Sequence, residues 1–440
     1  MNILNNITSV IEKQELMSRL NEELRQKLPA DLDESAKAKG AMVRKRKLNS
    51  AYGLITVLLI YSHTSISQRI MAVLSKEMGI ANISDQAWQK RTAKCVPWLI
   101  YILNKSLPVT DPAVMEKADI SRRRVKLIDG SCVKQVGSEG KTLRIHMSYD
   151  LTLGCMDEVT VTDHHTAESF EQFKIEPGCI HMADAGYGKG KNLEYIVSRG
   201  ADAIFRVTPN HIRLAQDPKG KEIIDMTKML DTEKKVIDFK CYVHTQNRKY
   251  FPARIIASRL PEDRIEAAVN RKKRKAKKNQ CTLKCETLIY AEWVILMTSL
   301  DESYSAEDIL ALYRARWQIE LLFKRIKQFF KVTKIRAATV QHSKAIILLW
   351  LIAWSLTERG VIAAEIYLRN KQADMSRFSP WTMCSFFFQR FKAILSSLWL
   401  CCFNLDGDLI DIYKRLQNHK SSRPNQYAVF SNGGFLSVFA

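Results

Sequence analysis

The segment LYRARWQIELLFKRIKQFFK (residues 312–331) places a single carboxylate among several cations. At helical spacing, five polar residues share a stripe about 80° wide that borders the apolar face of the helix. They are Tyr313, Arg316, Glu320, Lys324 and Lys327. A solvated helix with ordinary Glu–Lys pairs would give the same pattern, so a catalytic interpretation needs carboxylates from elsewhere in the chain.

Two aspartates, Asp129 in LIDGS and Asp184 in MADAGYG, follow apolar runs that predict strands. Hard divalent cations take oxygen ligands, and two of them about 4 Å apart can stabilise the attacking and leaving oxygens of phosphoryl transfer. Nearby Arg and Lys side chains can then bind the remaining phosphate oxygens. Asp129, Asp184 and Glu320 are therefore the candidate catalytic and metal-binding residues.

The elements around the two aspartates alternate in type. Apolar alternation and turn residues predict three strands, a short helix, a strand, a helix and a further strand. Their ranges are 122–131, 142–150, 155–163, 167–173, 179–188, 190–199 and 201–209. This order is that of a ribonuclease-H-like fold, with Asp129 and Asp184 expected at strand ends.

Residues 208–290 interrupt this order and are predicted to form an insertion. They include RKKRKAKK (271–278), in which seven of eight residues are basic. This stretch either follows a DNA backbone or is a disordered, solvated charge run. Residues 288–300 are predicted to return as a strand, and one long helix is expected from near Ser305 to about Lys331. Further helix is expected over 340–415, before a loose polar tail.

Residues 1–120 are predicted to be helical. Two helices, 65–80 and 84–103, are joined by a short turn, with Gly79 ending the first and Ser84 capping the second. The pair is similar to a helix-turn-helix, although an ordinary helical hairpin fits equally well. The second helix carries three cations on one face: Lys90, Arg91 and Lys94.

Composition favours an enzyme or binding protein with a polyanionic partner. The 440 residues suit about three domains, and the net charge is +22 with 46% hydrophobic residues. The ten cysteines form no CxxC pair, and Cys281 and Cys285 lack partners for a zinc site. The charged start gives no sign of a signal peptide, and the longest apolar run, Ala345–Trp354, is too short to span a bilayer. We therefore expect a cytoplasmic protein with no membrane partner.

The spacing of the helical stripe resembles a family signature. Tyr313, Arg316, Glu320 and Lys327 follow at intervals of three, four and seven residues, as in the Tyr-Arg-Glu-Lys signature of the insertion-sequence-four-type DDE transposases. LIDGS and MADAGYG are similar to the family's two aspartate motifs. The basic run before TLIYAEWVILMTSL and the helical GIANISDQAWQKR also match, so the resemblance covers most of residues 60–360.

This resemblance implies an α/β fold with a ribonuclease-H-like catalytic core formed by residues 121–207 and 291–335. A β-rich insertion, 208–290, would interrupt the core. Residues 1–120 would form a helical DNA-binding region, and 336–440 a helical C-terminal region with its tail.

The resemblance also implies roles for individual residues. Asp129, Asp184 and Glu320 would hold two Mg²⁺ or Mn²⁺ ions. Tyr313, Arg316 and Lys327 would grip DNA phosphates, with Lys324 as a helper. Arg206 occupies the position of a DNA-contacting arginine in members that use a hairpin intermediate. Trp293 is near their base-stacking tryptophan, although a core tryptophan in an apolar strand is an equal alternative.

The implied activity is cut-and-paste DNA transposition: water cleaves the element end, and the released 3′-hydroxyl attacks a second strand. The implied partners are terminal inverted repeats and target DNA, bound by a homodimer in the bacterial cytoplasm and, with DNA, at the nucleoid. The alternatives are a nuclease that only hydrolyses, a non-enzymatic DNA-binding regulator and an inactive copy.

Overall fold

The computed structural model of the chain describes residues 21–42, 48–64, 66–110, 123–135, 141–246, 249–330, 339–374 and 379–401, together with positions 15, 18, 19, 334, 335 and 337. The chain divides into two compact units, Met1–Trp98 with Gln389–Ala440 and Leu99–Phe388. Every candidate site residue from Asp129 to Lys327 belongs to the second unit.

The described N-terminal residues are largely helical, as predicted. The helices are α1 (Leu32–Ala38), α2 (Ala51–Thr64), α3 (Gln68–Glu77), α4 (Asp85–Lys94) and α5 (Val96–Ser106). Gly79 has φ +63° just after α3, and the Ser84 hydroxyl caps α4 by accepting from Ala87 N at 3.3 Å. Trp88 of α4 is fully buried and its Nε1 donates to Ser75 Oγ at 3.0 Å. Helices α3 and α4 therefore pack as the predicted hairpin.

One N-terminal prediction was wrong. The expected helix over 84–103 is two helices, because α4 ends at Cys95 and α5 begins at Val96. Pro97 lies in the first turn of α5, where a missing backbone N–H is tolerated. The basic cluster Arg44–Lys47 lies outside the described residues.

The described part of the second unit contains a mixed sheet of ten strands. They are β1 (Val125–Gln135), β2 (Lys141–Asp150), β3 (Cys155–Asp163), β4 (Ile180–Ala183), β5 (Asp202–Arg206), β6 (Leu214–Ala215), β7 (Val236–His244), β8 (Tyr250–Arg259), β9 (Trp293–Thr298) and β10 (Lys334–Ile335). The order is β3-β2-β1-β4-β5-β9-β8-β7-β6, with β10 paired to β1. Strands β1, β4 and β5 run parallel, so their carboxyl ends meet at one edge.

The helices of this unit alternate with the strands along the chain, and the last helix follows them. They are α6 (Gly190–Val197), α7 (Met226–Leu230), α8 (Glu262–Lys278), α9 (Cys285–Ala291), α10 (Ala306–Arg314), α11 (Trp317–Phe330), α12 (Val340–Asn370) and α13 (Pro380–Cys401). Aromatic side chains pack together in the hydrophobic core of this unit. The centroid of the Phe170 ring lies 5.4 Å from that of Tyr187 and 5.3 Å from that of Phe205.

Two segments differ from their predicted type. Residues 167–173 form a 3-10 turn, Phe170–Gln172, instead of a short α-helix, since Ser169 caps it and the chain extends again at Phe173. The predicted strand over 288–300 begins as helix α9, and only Trp293–Thr298 is strand. In both cases a short apolar run fits helix and strand equally well by pattern.

The predicted insertion, 208–290, continues the sheet. Strand β8 pairs with β9, which pairs with β5. Strands β6–β8 therefore lie in the same sheet as the strands near the two aspartates. The basic run 271–278 lies in α8, a helix with no buried residue among those described. It is therefore an ordered basic helix and not a disordered charge run.

The single helix predicted from Ser305 to Lys331 is two helices, α10 and α11. A capping box of Ser305 and Asp308 starts α10. At the break, Arg316 N donates to Tyr313 O and Gln318 N to Ala315 O, both at 3.0 Å. These bonds span three residues instead of the four of an α-helix, so the helical pattern is interrupted by a tight turn at residues 315–316.

Helix α12 is long and apolar enough to cross a membrane by length and composition. Its most apolar 18-residue window is 89% buried within the protein. Trp354 and Leu349 of this helix are among the fully buried side chains, as is usual for a core helix.

Candidate active site

Asp129 and Asp184 are neighbours on adjacent parallel strands. Ile128 of β1 stands beside Ala183 of β4, and each aspartate is the next residue. Asp184 follows the end of β4, as predicted. Asp129 is not at a strand end, because β1 continues to Gln135 in its pairing with β2; only its pairing with β4 ends there.

Backbone amides orient both carboxylates. Asp129 Oδ1 accepts from Gly130 N at 2.8 Å, and Asp184 Oδ1 accepts from Ala185 N at 2.6 Å. Both side chains are half-buried. Among the described residues, the second oxygen of each carboxylate accepts no hydrogen bond, so it is open to a ligand.

Helices α10 and α11 connect the third carboxylate to this pair through Arg316. Helix α11 packs against β1, and Tyr313 Oη donates to Ala183 O at 3.4 Å. Glu320 is bound by the guanidinium of Arg316, one helical turn earlier. The structure therefore brings Tyr313 and Arg316 to the aspartate pair, and Glu320 is held by Arg316.

Arg316 is the main positive charge near the three carboxylates. The pKa of Asp129 is raised to about 6, first by burial and also by the charges of Asp184 and Glu168, whereas Gly130 N–H and Arg316 oppose the rise. Asp184 and Glu320 in turn favour the charged form of Arg316. Its Nη1 is buried without a hydrogen-bond partner among the described residues.

The oxygen donors fit a hard divalent cation, but the conformation does not gather three of them. Among the described residues, no group of three His, Cys, Asp or Glu side chains is placed to hold an ion. Asp129 and Asp184 stand side by side, while Arg316 binds Glu320. A cation could be held by the two aspartates, with Glu320 joining after it leaves Arg316. Cys281 and Cys285 are exposed free thiols.

The remaining predicted phosphate-binding residues on α11 have freedom to reach a ligand. Lys324 is exposed and Lys327 is half-buried. Both belong to the helix that carries Glu320. The helix break removes Tyr313 from a continuous stripe with them, although its hydroxyl still reaches the β4 end.

Arg206 and Trp293 lie together in a second location. They line a cavity of about 370 Å³ between α8 and the sheet. Arg206 is the exposed last residue of β5, whereas Trp293 is 3% exposed and belongs to the hydrophobic core. Most of the Trp293 side chain therefore packs in the core, as the alternative interpretation predicts, and a small part of it lines the cavity.

This cavity is strongly cationic. Its basic lining residues are Arg206, Arg264, Arg271 and Lys272, and none of its described lining residues is acidic. Partial desolvation of the Lys272 ammonium group lowers its pKa, and the charges of Arg206, Lys275 and Arg271 lower it as well. Like charges held this close repel one another, so an anion bound among them would be stabilised.

Sequence reasoning missed three residues beside Asp129. Glu168, in the turn between β3 and β4, contributes to the electrostatics of Asp129, and Arg144 Nη1 lies 3.8 Å from Glu168 Oε1. The buried Tyr187 hydroxyl faces the same group. The signal was Glu168 in HTAESF, a carboxylate just before a buried Phe, which is not specific without the tertiary contacts.

The loop after Asp184 needs glycines for space. A Cβ at Gly186 would lie 2.0 Å from Glu168 Oε2. One at Gly188 would lie 2.2 Å from the carbonyl oxygen of Arg206, and one at Gly190 would lie 2.2 Å from that of His244. At these three glycines the loop backbone therefore packs directly against Glu168, β5 and β7.

The chain is similar to known proteins over most of its length. A family described as "Transposase DDE domain" matches residues 120–356. A putative transposase, InsL, for insertion sequence element IS186A of Escherichia coli (strain K12) is 30% identical over 331 residues, 74% of this chain and 88% of that protein. The transposase for IS421 of Escherichia coli is 30% identical over 332 residues, with the same coverage.

A more distant relative is also named as a transposase. The transposase for IS231C of Bacillus thuringiensis subsp. berliner is 24% identical over 370 residues, 72% of this chain and 74% of that protein. The large mixed α/β sheet fits the fold of these enzymes, which act on DNA. The chain belongs to the DDE transposase family, which implies dependence on divalent metal in general.

Proposed function

We propose that the chain cleaves DNA at transposon ends and joins the cut ends to target DNA, with Asp129, Asp184 and Glu320 as its metal-binding triad. The observation that carries the proposal is the placement of the two aspartates on adjacent parallel strands, with α11 packed against β1. A DNA-binding regulator would gain nothing from three carboxylates that face a polyanion.

The catalytic core is of the ribonuclease-H-like type in this proposal. The order β3-β2-β1-β4-β5, with β1, β4 and β5 parallel and β2 and β3 antiparallel, supports it. Strands β6–β8 and helix α8 form the insertion, which begins after β5 and returns at β9.

Two Mg²⁺ or Mn²⁺ ions would activate water and stabilise the attacking and leaving oxygens. Arg316 would turn its planar fork from Glu320 to two phosphate oxygens, which frees Glu320 as a ligand. Lys324 and Lys327 would neutralise phosphates along α11, and Tyr313 would fix the end of α10 against β4.

The cationic cavity would take a DNA phosphate. Arg206 and Lys272 are its supporting groups, because a bound anion would relieve their mutual repulsion. Trp293 borders the same cavity, but stacking on a flipped base would require a side chain that is 3% exposed to emerge from the core.

The N-terminal hairpin of α3 and α4 is a second candidate DNA contact. Lys90 and Lys94 are exposed, whereas Arg91 donates to Ala41 O at 3.0 Å and so is partly engaged in packing. Pairing two transposon ends calls for two subunits, so we propose a homodimer on terminal inverted repeats, acting in the cytoplasm at the nucleoid.

The test is joining of a pre-cut end to plasmid DNA in Mg²⁺. Asp184→Ala and Glu320→Ala should lose cleavage and joining while binding the end with near wild-type affinity. Glu307→Ala, an exposed glutamate on α10, is the matched control and should stay active. Retained activity in Asp184→Ala or Glu320→Ala would refute the triad, and cleavage without joining by the wild type would indicate a nuclease.

A further inference from the structure

Glu168 is a carboxylate of the site for which neither the strand pattern nor the helix signature accounts. We propose that Glu168 is a fourth carboxylate of the cleavage site, which supplies an oxygen ligand to the divalent cation held by Asp129. This inference rests on the proposed metal-dependent function, and it adds a residue to the triad.

The first observation is the space that the protein keeps for this carboxylate. Gly130 follows Asp129, and a Cβ there would lie 3.5 Å from Glu168 Oε1. Gly186, two residues after Asp184, would place a Cβ 2.0 Å from Glu168 Oε2. The two carboxylate oxygens therefore lie over Gly130 in β1, next to Asp129, and over Gly186 in the loop that follows Asp184.

The second observation is a buried polar group that faces the same point without a partner. The Tyr187 side chain is 1% exposed, and its hydroxyl has no hydrogen-bond partner among the described residues. A Cβ on Gly130 would lie 3.4 Å from that hydroxyl. A buried hydroxyl costs free energy unless it is satisfied, and a ligand water of a cation held by Glu168 and Asp129 would satisfy it.

Pairing with Arg144 does not explain Glu168 fully. Their closest atoms are 3.8 Å apart, beyond hydrogen-bond distance, and Arg144 Nη1 donates instead to Thr166 O at 2.9 Å. Glu168 thus stands near Asp129 and Asp184 with one long ion pair among the described residues. Three carboxylates so placed repel one another unless a cation is shared.

The test is direct binding of Mn²⁺ to the full chain without DNA, measured by calorimetry and by the electron paramagnetic resonance of free Mn²⁺. Glu168→Gln keeps the size of the side chain and removes its charge. We expect Mn²⁺ affinity to fall about tenfold or more, with a melting temperature in chelator that is no lower than that of the wild type, because the variant removes like-charge repulsion. Glu171→Gln, an exposed glutamate three residues later, is the matched control and should bind Mn²⁺ like the wild type.

Asp129→Asn separates the two proposals. If Asp129→Asn loses Mn²⁺ binding and Glu168→Gln does not, the fourth ligand is refuted and the triad stands. If neither variant changes the affinity, the metal role of the site itself fails. If Glu168→Gln does not fold, Gly186→Ala serves instead, because its methyl must displace the Glu168 carboxylate. Unchanged Mn²⁺ affinity in folded Gly186→Ala would also overturn the inference.

Discussion

We expect the ionised Asp129 carboxylate to destabilise the metal-free protein at neutral pH. Burial and neighbouring carboxylates raise its pKa from 3.8 to about 6. A carboxyl group with a raised pKa in the folded state favours folding when protonated, and that advantage is lost as the pH rises from about 4 to about 6. At neutral pH the ionised Asp129 therefore destabilises the metal-free protein.

The size of the effect follows from the shift. One pKa unit corresponds to about 1.4 kcal/mol, so a shift of about two units gives about 3 kcal/mol. Asp129 keeps partial contact with solvent, so we expect Asp129→Asn to stabilise the protein by about 1.5–3 kcal/mol at pH 7. The Asn amide oxygen can still accept from Gly130 N, which preserves the local bond.

The assay is urea unfolding in chelator from pH 4 to pH 7.5, followed by tryptophan fluorescence. The gain of Asp129→Asn over the wild type should be near zero at pH 4 and grow to its full value above pH 6. Asp217→Asn is a control of opposite sign. Backbone hydrogen bonds from Glu222, Lys219 and Lys221 lower the pKa of Asp217, so its replacement should destabilise at neutral pH.

A specific result would refute this reasoning. If Asp129→Asn is less stable than the wild type at pH 7 in chelator, the carboxylate is stabilised by its surroundings and the raised pKa is wrong. A gain that is independent of pH would assign the effect to packing and not to charge. Added Mn²⁺ should reduce the difference in free energy of unfolding between Asp129→Asn and the wild type, because only the wild type gains stability from the bound cation.

Three further predictions concern other charged groups. Arg316→Lys keeps the charge and loses the fork, so single-turnover cleavage of saturating pre-bound DNA should fall at least about tenfold; a wild-type rate would leave Arg316 only a structural partner of Glu320. Replacing the cations of 271–278 should reduce the log–log salt dependence of DNA binding by about 0.9 per lost phosphate contact, and an unchanged slope would exclude such contacts. Burial raises the pKa of Glu358 from 4.5 to about 8, so in urea unfolding Glu358→Gln should become more stable than the wild type as the pH rises from about 5 to 9; a constant difference would contradict this.

Local patterns were sufficient for much of the site. Asp184 follows an apolar run and a turn, and β4 indeed ends directly before it. The relation between Arg316 and Glu320 was also predictable, because four residues on a helix place two side chains together. These features depend on a few adjacent residues, and their geometry is therefore encoded locally.

The remaining features depend on contacts that are distant in sequence. The break at Arg316 leaves its pairing with Glu320 intact, so the helical pattern gives no sign of it. Glu168 is recognisable only through Gly130 and Gly186, which reach it by tertiary packing. The union of β5 with β9 joins residues far apart in the chain, and no local periodicity predicts such a pairing.

The loop from Asp184 to Gly190 has a consequence for sequence variation. Gly186, Gly188 and Gly190 each face atoms that leave no room for a methyl group, and for the last two those atoms are backbone. Side-chain repacking cannot relieve such a clash, so drift at Gly188 or Gly190 would require coordinated movement of β5 or β7. Among active descendants of this chain, these positions should stay glycine even where the insertion diverges freely. The glycines of this loop would then mark the contact between the core and strand β7 of the insertion.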